Sequence, residues 1–338
     1  MGGAIITGNG SYVPERVITN RLLEKIVDTT DEWIVSHTGM RERRMAAPEQ
    51  NTSDLGTEAA REALADAGIT PDDVDLIICG TVTPDMIFPA TASIIQANLG
   101  AHHCGAFDMS AGCTGFVYAL AMASNCVRSG DFRHVLVINA DCLTRITNWT
   151  DRTTCVLFGD AAGAVVVEPG PADTGILAYE LVSMGEVRDM LTIPAGGSQQ
   201  RLNTDLLARH QDRLHMNGPE LFKVAVRLVP EIAERVVAKA GLALGDVDMV
   251  IMHQANQRII DAAARRLDIA PERVVSIVED YGNTSASSMP LAMDMMYRQG
   301  RLQPGDNVLV VGFGAGFTLG GALVRWTKPV PPLATTTI

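Results

Sequence analysis

The sequence predicts an α/β fold made of two related halves, on three observations. Its apolar segments, such as Leu76-Ile77-Ile78-Cys79 and Met249-Val250-Ile251-Met252, are continuous runs and not in-and-out alternations. Strands of that kind belong to sheets covered by helices on both faces. The second observation is an internal repeat. Ala65-Asp66-Ala67-Gly68, followed by Asp73-Val74-Asp75-Leu76-Ile77-Ile78, reads against Ala238-Lys239-Ala240-Gly241 and Asp246-Val247-Asp248-Met249-Val250-Ile251; Gly241 lies 173 residues after Gly68. Third, the residues with the most chemistry, Cys113, His253 and Asn283, each sit in a small-residue turn beside an apolar run.

In chain order, a helix pattern closes at Gly68, a residue suited to the left-handed geometry that ends helices. An acidic turn, Pro71 to Asp75, leads into the buried strand from Leu76. Ser110-Ala111-Gly112-Cys113-Thr114-Gly115-Phe116 is a turn opening onto the helix pattern Val117-Tyr118-Ala119-Leu120. Gly130 and the strand Val135-Leu136-Val137-Ile138 follow. The second half repeats these steps with Gly241, the strand Met249 to Met252, a helix through Leu291-Ala292-Met293, Gly300, and Val308-Leu309-Val310-Val311. Several pieces in one order make the repeat specific. The halves are placed at 1–172, carrying the cysteine, and 173–330, carrying the histidine and asparagine.

Two segments stand outside this scheme. Residues 185–220 are the least periodic stretch and read as a long excursion, either a functional cover or solvated surface. Lys328 to Thr337 reads as a frayed end, with 331–338 as an extended tail.

The repeat also places the chemistry. Cys113 begins the helix through Leu120, and Asn283 lies within one residue of the equivalent place before Leu291. His253 lies just beyond the strand whose counterpart ends at Cys79-Gly80. A pseudo-twofold axis would bring all three towards one crevice at strand ends and helix starts, where α/β proteins bind ligands.

Composition narrows the class. The chain has 338 residues, 47% hydrophobic and 20% charged, as in an ordinary globular enzyme. A net charge of −12 argues against general affinity for nucleic acid or an anionic membrane. No apolar run approaches the ~20 residues needed to span a bilayer. The first residues show no signal peptide, and a cytoplasmic location is expected. The six cysteines form no CxxC pair and no metal-type spacing, so reduced thiols and no metal site are expected.

Cys113 departs from the usual buried, inert cysteine. At a helix start it faces unpaired backbone N–H groups and the positive end of the helix dipole, which favour thiolate over thiol. The expected role is a nucleophile, with histidine and asparagine as partners.

The chain also resembles the β-ketoacyl-acyl carrier protein synthase III enzymes of the thiolase superfamily, from about Ile5 to Trp326. The residues that carry this are Thr30-Asp31-Glu32-Trp33-Ile34-Val35 with Thr38-Gly39-Met40-Arg41-Glu42-Arg43, Ser110 to Phe116, and Leu157-Phe158-Gly159-Asp160-Ala161-Ala162-Gly163-Ala164. His253-Gln254-Ala255-Asn256, Gly282-Asn283-Thr284-Ser285-Ala286-Ser287 and Gly312-Phe313-Gly314-Ala315-Gly316-Phe317 complete the set. The resemblance implies a thiolase-like five-layered α-β-α-β-α fold, a homodimer, no cofactor, and a Cys113-His253-Asn283 site. Acyl-CoA would load Cys113, and malonyl-acyl carrier protein would lose carbon dioxide and condense with the acyl group. Backbone amides of Cys113 and Ala315 would hold the first oxyanion; His253 and Asn283 would hold the enolate.

The same resemblance assigns Trp33 and Arg152 to the adenine of CoA, Asn256 and Phe222 to pantetheine, and Phe88 to the acyl pocket, reaching across the dimer. Lys223, Arg258, Arg265 and Arg266 would rim the carrier-protein site. Three positions depart from the family: His37 replaces a frequent arginine, Pro219 an asparagine, and Ala315 a glycine. They would suit a relative that primes or condenses in secondary metabolism with an unusual acyl donor or acceptor. Two readings from other classes remain. A papain-like protease would carry a Cys-Gly-Ser-Cys-Trp surround, and a non-catalytic relative should have lost Cys113; the sequence has neither feature.

Overall fold

The computed structural model describes residues 2–331; the tail beyond Pro331 lies outside them. The strands of the main sheet are β1 (Gly3–Tyr12), β2 (Leu76–Gly80), β3 (Gly105–Met109), β4 (Val135–Cys142) and β5 (Asp160–Gly170), then β6 (Gly175–Ser183), β7 (Met249–Met252), β8 (Val274–Val275), β9 (Asn307–Gly314) and β10 (Thr318–Arg325). The helices that position the site are α1 (Asp31–Thr38), α2 (Thr52–Ala67), α3 (Thr91–Leu99), α4 (Gly115–Ser129), α5 (Gly218–Lys239), α6 (Gln257–Arg266) and α7 (Ser288–Arg298).

The strand order is β8-β7-β9-β10-β6-β1-β5-β4-β2-β3. Each five-strand set has the same wiring. The middle strand β4 runs parallel to β2 and antiparallel to β5, as β9 does to β7 and β10. The sets meet only at β1 and β6, through the single pair Ala4↔Gly175.

Helix α4 packs against strands of both sets, and α7 against β1, β5 and β7, so the two helices form the middle layer. On the outer faces α2 covers β1, β4 and β5, while α5 covers β6, β9 and β10. This is the five-layered arrangement that the family resemblance implies. Strands β4 and β9 are buried along almost their whole length, which explains their unbroken apolar runs.

The repeat persists in atomic detail. Gly68 and Gly241 both end helices at positive φ, 71° and 76°. Asp73 and Asp246 each accept a bond from a backbone N–H three residues back. Asp75 takes the N–H of His134 at 2.8 Å, and Asp248 that of Asn307 at 2.8 Å, so each tethers the start of the strand that follows it to the middle strand.

The end of the chain differs from expectation at its start. Lys328 is buried and not frayed: its ammonium pairs with Asp66, donates to Thr7 O at 2.8 Å, and lies 4.4 Å from the Tyr297 ring centroid. A salt-bridge partner and an aromatic face together hold a charge that would otherwise stay in water.

Candidate active site

Cys113 lies between β3 and α4, in a short 3₁₀ turn, Gly112–Thr114. Gly112 has φ 55°, and a Cβ there would lie 2.9 Å from Ala315 N. A Cβ on Gly314 would lie 2.5 Å from Cys113 N. The two glycines therefore let two backbone segments touch, bringing the N–H groups of Cys113 and Ala315 into one place. Among the described residues neither N–H is used in a turn or loop hydrogen bond. Thr318 Oγ1 ties these segments together, 2.8 Å from Ala111 O and 2.9 Å from Thr114 Oγ1.

The acidity of the thiol runs against the sequence expectation. Cys113 is 8% exposed, and burial pushes it up to about 12, with Ser285 pulling the other way. Desolvation of the charged form is the largest influence on this thiol. Burial thus favours the thiol form of Cys113.

His253 follows β7, anchored by its N–H to Val311 O at 2.8 Å. Its Nδ1 is 2.9 Å from Ser288 Oγ, and the Phe313 ring meets it edge-on at 5.3 Å. Burial lowers the imidazole to about 3, so the ring is neutral. Ser288 Oγ accepts from Gln254 N–H at 3.2 Å.

Asn283 is held by strand-like pairing with Phe158. Its N–H donates to Leu157 O at 2.8 Å, and its carbonyl accepts from Gly159 N–H at 3.0 Å. That segment is itself anchored by buried Arg43, which donates to Val156 O at 2.7 Å. The Asn283 Oδ1 accepts from Ser285 N–H at 2.9 Å, which fixes the amide orientation and leaves its NH₂ as a donor.

Cys113, His253 and Asn283 line one channel of about 100 Å³, with Phe222, Asn256 and Phe313. A second cavity, about 230 Å³ and lined by Val82, Leu143, Ile146, Ile193 and Leu214, also reaches Cys113. Cys113 thus stands where two compartments meet. The 185–220 excursion supplies Leu191 to both and Ile193 and Leu214 to the second, so its apolar residues cover the site. Their irregular spacing hid this in the sequence. Asp141, Ser285 and Ser288 were also missed as site residues, because short polar residues in turns and at strand ends carry no periodic signal.

The remaining expected residues are placed unevenly. The Arg152 guanidinium sits 5.0 Å from the Trp33 ring centroid, and His37 stacks on Trp33 at 4.4 Å. The pair is together, but the cation rests directly on the indole. Asn256 caps α6, accepting from Arg258 N–H and donating to His37 O at 3.1 Å, so only part of its amide is free. Arg258 packs over Phe222 at 5.6 Å, and Lys223 pairs with Glu220 at 2.7 Å. Arg265 is exposed at the far end of α6, and Arg266 faces Glu231 at 3.8 Å. Phe88 lines neither cavity of its own chain; it is 82% exposed. Among the described residues no cluster of three or more His, Cys, Asp or Glu is placed to hold a metal.

The family 3-oxoacyl-[acyl-carrier-protein] synthase III matches residues 107–185, and its C-terminal counterpart matches 237–326. The chain is 51% identical to the β-ketoacyl-[acyl-carrier-protein] synthase III of Symbiobacterium thermophilum, over 96% of this chain and 98% of that one. The enzyme of that name from Aquifex aeolicus VF5 superposes with TM-score 0.89 at 44% identity, covering 96% of this chain and 100% of its own. The priming β-ketosynthase of the R1128 polyketide pathway superposes with TM-score 0.90 at 36% identity, covering 98% of each chain.

Proposed function

The chain belongs to the 3-oxoacyl-[acyl-carrier-protein] synthase III family, and from that premise we propose how its own residues carry out the reaction. The protein is an acyltransferase that condenses acyl-CoA with malonyl-acyl carrier protein. The observation that carries the residue assignment is the position of Cys113 at the junction of a narrow channel and a wider apolar cavity.

Acyl-CoA enters by the channel, and Cys113 Sγ attacks its thioester carbon. The acyl chain is taken up by the cavity, and CoA leaves. The N–H groups of Cys113 and Ala315 receive the oxyanion. Malonyl-acyl carrier protein then uses the same channel. As carbon dioxide departs, the thioester oxygen becomes an enolate, which takes hydrogen bonds from Asn283 Nδ2 and His253 Nε2. Ser288 supports that tautomer: with Gln254 N–H already on its oxygen, its own hydrogen is free for Nδ1. The carbanion attacks the acyl carbon on Cys113 and releases the 3-oxoacyl product.

The cavity favours primers longer than acetyl. A group the size of one water needs roughly 10–15 Å³ on the measure by which the cavity offers about 230 Å³. Trp33 and Arg152 are assigned to the adenine, Phe222 and Asn256 to pantetheine. The exposed residues Lys223, Arg258, Arg265 and Arg266 are assigned to the acidic carrier protein.

The reading includes a homodimer, supported by exposed Ile87 and Phe88 and by the edge strand β3, where Phe107 is also exposed. Phe88 then serves the partner subunit's pocket. A cytoplasmic location is supported by six free cysteines. Intact-protein mass after exposure to a panel of acyl-CoAs tests the assignment: a single acyl mass on Cys113 is expected, greatest for chains that fill the cavity.

A further inference from the structure

Asp141, at the end of β4, is fully buried and unevenly used. Its Oδ1 accepts from Thr81 Oγ1 at 3.0 Å, Thr83 Oγ1 at 3.0 Å, Val82 N–H at 2.8 Å and Thr83 N–H at 3.2 Å. Its Oδ2, equally buried, has no partner among the described residues. The Ser285 hydroxyl is also buried and without a completed hydrogen bond. Buried polar atoms left in this way are uncommon and call for an explanation.

The two atoms are neighbours of the nucleophile. The turn Ser285–Ser287 packs against both β4 and the Cys113 turn, and Ser285 lines the larger cavity together with Cys113. The Ser285 hydroxyl is close enough to both the Cys113 thiol and the Asp141 carboxyl to lower the pKa of each. Ser285 also holds φ 58°, a strained value for a residue with a side chain. That backbone places its N–H on Asn283 and the residue on the wall of the cavity that Cys113 also lines.

We infer that Asp141 and Ser285 form a proton relay to Cys113, in which Asp141 Oδ2 is the final acceptor. The proposal rests on the assignment of Cys113 as the nucleophile. During loading, the sulfur forms its bond to the acyl carbon as the thiol proton moves to Ser285 Oγ. The Ser285 proton moves to Asp141 Oδ2, and the thioester C–S bond breaks with CoA leaving as a thiolate, protonated by solvent. During condensation, the carbanion displaces Cys113 as a thiolate, which recovers its proton from Asp141 through Ser285. Protons balance over the cycle, and Asp141 is neutral while the acyl group is in place.

Among the described residues, the Asp141 carboxylate acts on the Cys113 thiol and His253 lines the same channel as Cys113. Burial raises the Asp141 carboxyl to about 6 and lowers the imidazole to about 3, so the carboxylate is the stronger base of the two. This leaves His253 neutral for the enolate.

The test compares Asp141→Asn and Ser285→Gly with wild type by rapid-quench intact mass after mixing with acyl-CoA. Glycine adopts φ 58° without strain and retains the N–H to Asn283, so Ser285→Gly removes little but the hydroxyl. Acyl-enzyme formation should slow roughly a hundredfold or more in each, with the double variant no slower than the worse single. Infrared difference spectra should show a protonated carboxyl appearing on acylation of wild type and absent from Asp141→Asn. Wild-type acylation rates in either variant would overturn the relay. So would faster loading in Asp141→Asn, the result if the carboxylate acts only as a like charge opposing the thiolate. A wild-type protein that takes no acyl group would overturn the assignment of Cys113, and the relay with it.

Discussion

The backbone N–H of Ser285 donates to Asn283 Oδ1 at 2.9 Å, and this one bond determines which end of the amide faces the channel. With the oxygen occupied, Asn283 presents only N–H donors to a substrate oxygen. An enolate, which needs donors and not acceptors, is the species such a group suits.

Asn283→Asp is therefore the sharpest change at this position. It keeps the shape and the bond from Ser285 but replaces the donors with an anionic oxygen. Release of carbon dioxide from malonyl-acyl carrier protein should fall by about a hundred- to a thousandfold, measured with labelled malonyl carboxylate. Loading of Cys113 from acyl-CoA, followed by mass, should persist.

Filling the larger cavity should change chain-length preference without removing the chemistry. Ile193 lies on the cavity wall yet is 38% exposed, so a larger ring there can be accommodated. Ile193→Trp should lower kcat/KM about tenfold or more for long acyl-CoAs, since lost or clashing apolar contacts cost ~1–3 kcal/mol. Acetyl-CoA should be little affected. Steady-state rates across an acyl-CoA panel decide this.

Charge reversal at the basic residues should separate the two substrates. Arg265→Glu should raise KM for malonyl-acyl carrier protein and leave acylation by acyl-CoA unchanged. Because the residue is exposed, the effect should shrink as salt rises from low to physiological.

Acid should act on stability through His253. Its folded-state pKa, about 3, lies below the usual 6.5, so between these values the unfolded chain binds the proton and the folded one does not. Stability then falls as pH drops through this window. Asp141, raised to about 6, works in the opposite sense between 6 and 3.8. His253→Gln should flatten the decline between about pH 6.5 and 3, seen in urea unfolding midpoints. A slope unchanged from wild type would contradict a buried neutral ring.

Much of this arrangement was legible in the sequence because backbone geometry writes itself into residue types. Gly68 and Gly241, the continuous runs at Leu76 and Met249, and the small-residue turn at Cys113 all reflect tight turns or full burial. The acidity of Cys113 was not legible: burial raises the thiol pKa, and burial at a turn leaves no pattern. Lys328 was misread because Pro329 and Pro331 resemble a loose end, while its partners, Asp66 and Tyr297, are distant in sequence. Asp141 lay hidden inside an apolar strand, its four donors supplied by Thr81, Val82 and Thr83, some 60 residues earlier.

The central claim is that Cys113 carries the acyl group while His253 and Asn283 serve decarboxylation. The most direct measurement follows acyl-enzyme mass and carbon dioxide release separately for wild type, Cys113→Ala and His253→Ala. Wild type should gain one acyl mass, Cys113→Ala none, and His253→Ala one acyl mass with carbon dioxide release reduced by about a hundredfold or more. A Cys113→Ala protein that still gains the acyl group, or a His253→Ala protein that decarboxylates normally but cannot be loaded, would contradict it.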